Sequence, residues 1–195
     1  MNLIGLDIGT TSICGVLYSI DENKAIKTET RENLFIEGEK GEYIQDPDSI
    51  YEKVKSILDD LIDFSQEKVL AFSLSSQMHG ILYIDDFNKA LTPFFTWQNQ
   101  RGLERINEES LEEYLSNMLG YKVYTGYGIV THYSLFKEKI IPKKAKSFCN
   151  IGDYVCMKLA GNTSATTDIT IANSMGIFDL KNGKKSDSLK KLGEE

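Results

Sequence analysis

Asp7-Ile8-Gly9-Thr10-Thr11-Ser12 is the stretch that decides the fold, because it separates two apolar runs with no further spacer. Leu3 to Leu6 precedes it, and Ile13 to Ile20 follows at once. Two strands joined by a tight turn fit this pattern. Residues 25–33 alternate well enough for a third strand after a polar turn. The amino-terminal region is therefore predicted to form an antiparallel meander.

The same turn carries groups suited to a phosphate. Glycine lets backbone N–H groups approach an anion without an intervening side chain, and the hydroxyls of Thr10, Thr11 and Ser12 suit phosphate oxygens. Asp7 suits a hydrated Mg²⁺ ion. The alternative is a hairpin turn that only reverses the chain, with Asp7 accepting N–H bonds from the turn. Neither a Walker loop nor Gly-x-Gly-x-x-Gly occurs in the sequence.

The rest of the chain alternates between helical and extended patterns. Asp48-Ser49 opens an amphipathic helix, and Lys68 to Leu74 is β-like. This order predicts an α/β fold with a mixed sheet. The remaining expected elements are an apolar run at Ile81–Ile84, a helix over Glu104–Leu119 that ends at Gly120, a short helix over Asp153–Leu159 and a last strand at Ile177–Leu180.

Two polar segments are candidates for a ligand pocket. Gln77, Met78 and His79 directly follow a β-like run, at the strand end where open α/β sheets bind ligands. Residues 97–101, with Trp97, Asn99 and Arg101, combine an aromatic face with amide and guanidinium groups. Together they fit a hydroxylated ligand. The alternatives are a turn histidine with a core methionine, and a buried tryptophan among surface amides.

Composition narrows the function classes. Lys plus Arg number 22 against 29 Asp plus Glu, so the net charge of −7 argues against nucleic-acid binding. No signal peptide and no apolar run of membrane-spanning length occurs in the 195 residues, which predicts a cytoplasmic protein without membrane attachment. The three cysteines lack metal-ligand spacing and are expected to be buried free thiols.

Beyond these patterns, the chain resembles the FGGY carbohydrate kinases, within the superfamily of actin, Hsp70 and sugar kinases. The resemblance runs from Leu3 to about Leu180 and starts with the turn at residues 7–12. It implies a ribonuclease H-like mixed five-stranded sheet with flanking helices. The other motifs that carry it are Ser76-Gln77-Met78-His79-Gly80, Thr96-Trp97-Gln98-Asn99-Gln100-Arg101, and Ile151-Gly152-Asp153-Tyr154 leading to Thr167-Asp168 and Ala172-Asn173-Ser174.

The resemblance implies a role for each matched residue. The phosphates of ATP would bind Gly9, Thr10, Thr11 and Ser12, with Mg²⁺ held by Asp7 through water. The acceptor would be a ketose or polyol, because Gln-Met-His-Gly resembles xylulose kinases and Trp-Gln-Asn-Gln-Arg resembles sedoheptulose kinases. Asn99 stands where the family usually has Asp. The expected sugar contacts are Gln77, Met78, His79, Trp97, Asn99, Arg101 and His132, with Tyr133 the alternative to His132.

The resemblance also sets the expected domain organisation. Residues 1–195 match the amino-terminal sugar- and phosphate-binding domain, with a loosely ordered tail from about residue 181. The second, nucleotide-binding domain and the catalytic Asp are expected beyond residue 195, so the fragment alone is predicted to be inactive. Its exposed second-domain face could support a homodimer. The alternatives are a non-catalytic nucleotide-switched protein and a sugar-binding regulatory protein of the same superfold.

Overall fold

The computed structural model describes residues 1–106 and 108–180, and the backbone of residues 184–185. The tail expected to be loosely ordered from residue 181 otherwise lies outside these residues. The strands are β1 (Asn2–Ile8), β2 (Ser12–Ser19), β3 (Lys24–Glu32), β4 (Ile44–Gln45), β5 (Val69–Ser76), β6 (Leu82–Ile84), β7 (Phe94–Phe95), β8 (Arg105–Ile106), β9 (Glu109–Ser110), β10 (Ser147–Cys149), β11 (Phe178–Asp179) and β12 (Lys184–Lys185). The helices are α1 (Pro47–Phe64), α2 (Leu111–Leu119), α3 (Gly128–Lys137), α4 (Ile151–Ala160) and α5 (Ile169–Ser174), with a 3₁₀ helix at Arg101–Leu103.

The main sheet confirms the predicted α/β class. Its strand order is β3-β2-β1-β5, with β1 antiparallel to β2 and parallel to β5. The sheet therefore is mixed, as expected, but it has four strands in the described part of the chain rather than five. The apolar run at 81–84 does not extend it, because Ile81 bonds with Phe95 and β6 pairs with β10.

Helices cover one face of the main sheet. Ile4, Leu6 and Ile8 alternate with exposed residues along β1, and their side chains join those of α1 and α4 in one core. At Gly15 on β2 the helix comes so close that a Cβ would lie 2.3 Å from Ile57 Cγ2. The other face of β1 is exposed at Leu3, Gly5 and Asp7. The predicted metal-binding carboxylate thus lies on the open face.

Three helix starts differ from the sequence prediction, and the smallest difference is at α4, which begins at Ile151 rather than at Asp153. Helix α1 is capped by Asp46, whose side chain accepts from the backbone N of Asp48 (2.9 Å) and of Ser49 (3.2 Å). Pro47 takes the first helical position, where its missing N–H is harmless. Helix α2 begins only at Leu111, because Ser110 forms a capping box and residues 105–106 pair with residues 109–110 as β8 and β9 instead.

The cysteine prediction is only partly confirmed. Cys149 is buried, Cys14 is partly buried and Cys156 is exposed on α4. Cys156 lies on the outward side of an amphipathic helix whose neighbours Val155 and Met157 are buried. Among the described helices, none is both long and apolar enough to span a bilayer.

Candidate functional site

The turn between β1 and β2 is held closed by its own backbone. The N–H of Gly9 donates to the carbonyl of Ser12 (2.9 Å), and a Cβ at Gly9 would lie 2.8 Å from that carbonyl oxygen. Glycine is therefore required by this close approach. In the described residues, the backbone N–H groups of Thr10 and Thr11 donate no hydrogen bond. Two adjacent amides with open N–H groups can bind an anion.

Asp7 lies beside this turn on the open face of the sheet. The Ser75 hydroxyl donates to Asp7 Oδ1 (2.5 Å), while a Cβ on Gly9 would lie 3.5 Å from Asp7 Oδ2. Both Asp7 and Ser75 line an open depression of about 350 Å³ between β1, β2 and β5. One carboxylate oxygen is thus held by the sheet, and the other lies next to the turn.

The donor set around Asp7 fits a magnesium ion carried by phosphates. Among the described residues, no group of three or more acidic, histidine or cysteine side chains forms a metal cage. Mg²⁺ in phosphoryl-transfer sites usually keeps several waters and takes one or two carboxylates plus phosphate oxygens. A single exposed carboxylate beside open backbone amides is compatible with that arrangement.

Thr10 joins the turn to both predicted sugar-binding segments. Its hydroxyl lies 3.3 Å from Gln77 Oε1 and accepts a hydrogen bond from Trp97 Nε1 (2.9 Å). Gln77 is positioned by the end of β5, where its backbone N donates to the carbonyl of Ile8 (2.8 Å). The structure therefore brings Thr10 together with Gln77, which is 67 residues away in sequence, and with Trp97, which is 87 residues away.

His79 is fixed by a second long-range contact. Its Nδ1 lies 2.6 Å from the carbonyl oxygen of Ser174, and its ring stacks on Tyr127 with centroids 4.6 Å apart. Because a carbonyl only accepts, Nδ1 carries the proton, and Nε2 of the neutral ring is an acceptor. His79 also has a positive φ of 69°. Met78, next to it, is 39% exposed.

Asn99 and Arg101 are engaged by the protein itself. Asn99 is fully buried, its Nδ2 donates to the carbonyl of Glu42 (2.6 Å), and its Oδ1 accepts from the backbone N of Arg101 (3.2 Å). The Arg101 guanidinium pairs with Glu42 (3.1 Å) and Glu138 (2.6 Å), with only 12% of its side chain exposed. The structure thus ties these two side chains to Glu42 rather than to Thr10, Gln77 or Trp97.

His132 faces a different environment from the turn. Its Nδ1 and the Tyr83 hydroxyl lie 2.6 Å apart, and its ring packs against Phe148 with centroids 5.1 Å apart. Burial lowers the pKa of His132 and raises the pKa of Tyr83. Tyr133, on the adjacent position of α3, is 1% exposed in the core with α2. Among their described contacts, neither side chain bonds with the turn or with Gln77.

The start of helix α4 supports the 76–80 segment. Asn150 caps the helix, accepts from Ser76 Oγ (3.2 Å) and donates to the carbonyl of Gly80 (3.0 Å). Asp153 completes the capping box, and its burial raises its pKa to about 6. Asp168 caps α5 by accepting from Thr170 N (2.8 Å). Asp153 and Asp168 therefore serve helix ends.

Three polar residues at the site had no recognised signal in the sequence. Ser75 holds Asp7, while Gln45 and Asn33 bond with carbonyls of the turn. Gln45 and Asn33 are both buried polar residues, at 0% and 3% exposure. Hydrophobic periodicity does not indicate that these two polar residues are buried while their polar neighbours in sequence are not. Only the polar character of Ser75-Ser76 at a strand end could have indicated Ser75.

Comparisons with known proteins identify the family of this chain. The model of the N-terminal domain of the FGGY family of carbohydrate kinases matches residues 2–193. A gluconokinase from Bacillus licheniformis is 29% identical over 192 residues, which covers 92% of this chain and 35% of the relative. The chain therefore spans little more than a third of the length of that curated relative.

Solved structures show the same fold. The gluconate kinase from Lactobacillus acidophilus matches with a TM-score of 0.85 at 27% identity, covering 98% of this chain and 39% of that one. The ligand-bound xylulose kinase from Lactobacillus acidophilus also matches with a TM-score of 0.85 at 27% identity, covering 98% of this chain and 40% of that one. The mixed sheet and its flanking helices are thus those of sugar kinases.

Proposed function

This chain belongs to the FGGY family of carbohydrate kinases, and on that premise we propose that it forms the phosphate- and sugar-binding part of an ATP-dependent kinase. The enzyme would transfer the γ-phosphate of ATP to a hydroxyl of a ketose or polyol, such as xylulose or sedoheptulose. In a phosphoryl transfer the protein acts mainly by positioning the two substrates and by stabilising charge.

The contact of Thr10 with Gln77 and Trp97 carries the proposal. It sets the open amides of the turn directly beside an amide side chain and an aromatic ring. A phosphate at the Thr10 and Thr11 amides and a polyol against Gln77 and Trp97 would then be neighbours. Such proximity is what transfer between the two requires.

The side chains divide the work in this proposal. Bound Mg-ATP would supply the phosphoryl group, with Asp7 as the water-mediated contact of the metal. Gln77 offers both a donor and an acceptor to hydroxyl groups, and Nε2 of His79 offers an acceptor. Met78 and Trp97, both substantially exposed, offer apolar surface to the C–H face of a polyol.

A neutral sugar fits this set better than an aldonate. Gluconokinases and xylulose kinases are both among the relatives, and gluconate would bring a carboxylate. Arg101, the arginine of the proposed set, already pairs with Glu42 and Glu138. A further carboxylate there would compete with these protein carboxylates for the same guanidinium, which favours xylulose or sedoheptulose.

We expect the 195 residues on their own to have little kinase activity. The chain covers 35% of the gluconokinase it matches, and Asp7 would serve the metal rather than accept the proton of the sugar hydroxyl. A separate carboxylate that accepts the hydroxyl proton belongs to the proposed whole enzyme. We place the reaction in the cytoplasm, where ATP is available.

Sugar binding by the chain tests the proposal. Trp97 is the only tryptophan in the sequence, so its fluorescence reports on this site during titration with D-xylulose, sedoheptulose, D-gluconate or glycerol. We expect a saturable change with a ketose. In Gln77→Ala the affinity should fall about tenfold, the effect of one or two lost hydrogen bonds.

Gln66→Ala is the matched control, because Gln66 is exposed in the turn after α1 and should leave the affinity unchanged. If the chain binds ATP but none of the four sugars, the nucleotide-switched alternative is favoured. If it binds a sugar equally well with Gln77→Ala, the proposed pocket is wrong.

A further inference from the structure

Gln45 is a fully buried amide between the two proposed subsites. It forms β4 with Ile44, and β4 pairs with β7 so that Gln45 lies opposite Phe94. Trp97 follows Phe94 three residues later in the sequence. The backbone around Gln45 is thus part of the same local structure that carries Trp97.

Both ends of the Gln45 amide have fixed partners. Its Nε2 donates to the carbonyl of Thr10 (2.7 Å), and its Oε1 accepts from Gln77 Nε2 (2.8 Å). A carbonyl oxygen only accepts, so the atom facing Thr10 O must be the nitrogen. The opposite atom, facing Gln77, must then be the oxygen. Asn33 adds longer contacts to both amide atoms, at 3.4 and 3.5 Å.

The Gln45 contacts also fix Gln77 and Thr10. Because Gln77 Nε2 donates to Gln45, Gln77 Oε1 is the atom that faces Thr10, and it accepts from the Thr10 hydroxyl (3.3 Å). That hydroxyl in turn accepts from Trp97 Nε1 (2.9 Å). Thr10, Gln77 and Gln45 therefore form a closed ring of hydrogen bonds with one direction.

We propose that Gln45 is a positioning residue, which holds Gln77 with a defined donor and acceptor toward the sugar and ties that orientation to the phosphate-binding turn. The inference rests on the proposed function. It also refines the part played by Thr10. With its hydroxyl proton committed to Gln77, Thr10 presents its backbone N–H to a phosphate, and not its hydroxyl proton.

A buried amide could instead contribute to stability alone, and Asn2 provides the matched control. Asn2 is 3% exposed and its Nδ2 donates to Ser65 Oγ (2.8 Å), at the opposite end of β1 from the turn. Asn2→Leu and Gln45→Leu each remove one buried amide, Asn2 from β1 of the main sheet and Gln45 from the separate β4–β7 pair. They differ in that only Gln45 reaches Thr10 and Gln77.

The experiment compares Gln45→Leu, Thr10→Val and Asn2→Leu in this chain. The first readout needs no ligand: the single indole N–H cross peak of Trp97 in a ¹H–¹⁵N spectrum. The second is the Kd for D-xylulose, measured well below the thermal midpoint of each variant. We expect Gln45→Leu and Thr10→Val to shift the indole peak and to raise the Kd about tenfold.

Asn2→Leu should lower the thermal midpoint while leaving the indole peak unchanged and the Kd within about twofold, as expected for distant independent sites. An unmoved indole peak together with an unchanged Kd in Gln45→Leu overturns the inference. If the wild-type chain binds no D-xylulose, that result contradicts the proposed function for this sugar. The inference about Gln45 is then tested by the indole peak alone. If Gln45→Leu does not fold, Thr10→Val opens the same ring, and an unmoved peak there overturns the inference.

Discussion

The turn at residues 9–12 and the segment at residues 97–101 are both rich in polar groups, yet the structure uses those groups in opposite ways. In the turn, the N–H groups of Thr10 and Thr11 are open among the described residues. In the segment, Asn99 and Arg101 are bonded to Glu42 and buried or nearly so. The availability of a polar group, rather than its residue type, therefore separates binding groups from structural ones.

Trp97 connects the two regions. Its indole bonds with Thr10, and its side chain is 45% exposed. Two residues later, Asn99 is fully buried. Within this short segment, Trp97 is exposed and can contact a ligand, whereas Asn99 is buried and supports the segment.

The largest expected effect on stability is at Gly126, which lies against the backbone of Trp97. Gly126 has φ of 85°, and a Cβ there would lie 1.8 Å from the Trp97 carbonyl oxygen. Gly126→Ala should lower the free energy of unfolding by about 3 kcal/mol, because left-handed strain and overpacking add. Urea unfolding measures this loss.

Gly120→Ala is the control for that variant. Gly120 has φ of 79°, but a Cβ added there would meet no atom within 4 Å, so it should lose only about 1 kcal/mol from backbone strain. Equal losses in the two variants would mean that the 97–101 segment is not supported by the Gly126 contact.

The next effect concerns Arg101. Arg101→Met should lower the free energy of unfolding by about 2 kcal/mol, because it leaves Glu42 and Glu138 without their common partner. The figure is below that for a fully buried pair, since Glu138 is 40% exposed. The measurement is urea unfolding of both proteins at the same pH.

Arg105→Met, at an exposed position on β8, should change the free energy of unfolding by less than about 0.5 kcal/mol. Should Arg101→Met keep wild-type stability but lose sugar affinity, Arg101 would belong with the binding groups, as the sequence resemblance suggests.

The smallest effect on stability is expected at Asp7. Asp7→Asn keeps an acceptor for Ser75 Oγ, so the free energy of unfolding should change by less than about 0.5 kcal/mol. The magnesium-dependent part of nucleotide affinity should fall about tenfold, because the carboxylate charge is lost. Calorimetric titration with ADP, with and without magnesium chloride, measures it.

Asp63→Asn, which removes an exposed carboxylate from α1, should leave nucleotide binding unchanged. A loss of magnesium dependence in both variants would indicate a general charge effect. An unchanged dependence in Asp7→Asn would remove Asp7 from the proposed metal site.

Much of the fold could be predicted from local sequence. The β1–β2 hairpin, α1, β5 and the end of α2 at Gly120 follow from apolar period, turn residues and caps, which act over a few residues. The helical period over 104–119 overestimated α2, because Ser110 and Glu113 form a capping box inside that range. A helical pattern of apolar residues can thus extend past a capping box that starts the helix later.

The support around the candidate site could not be predicted in the same way. The contact between His79 and Ser174 and the one between Asn150 and Gly80 each join residues at least 70 positions apart. The residues next to Gln45 in sequence do not indicate that its side chain bonds with Thr10 and Gln77. Such contacts depend on how strands and helices pack, and periodicity carries no information about that packing.

Local sequence was enough to predict which residues stand at strand ends and turns, because conformational preferences and spacing act over a few residues. Which of their polar groups remain free depends on the packing between distant parts of the chain. Burial against Glu42 engages Asn99 and Arg101, while the open face of the sheet leaves Asp7 and the amides of the turn accessible. The physical reason is that a hydrogen-bonding group is available to a ligand only when no distant part of the chain already satisfies it.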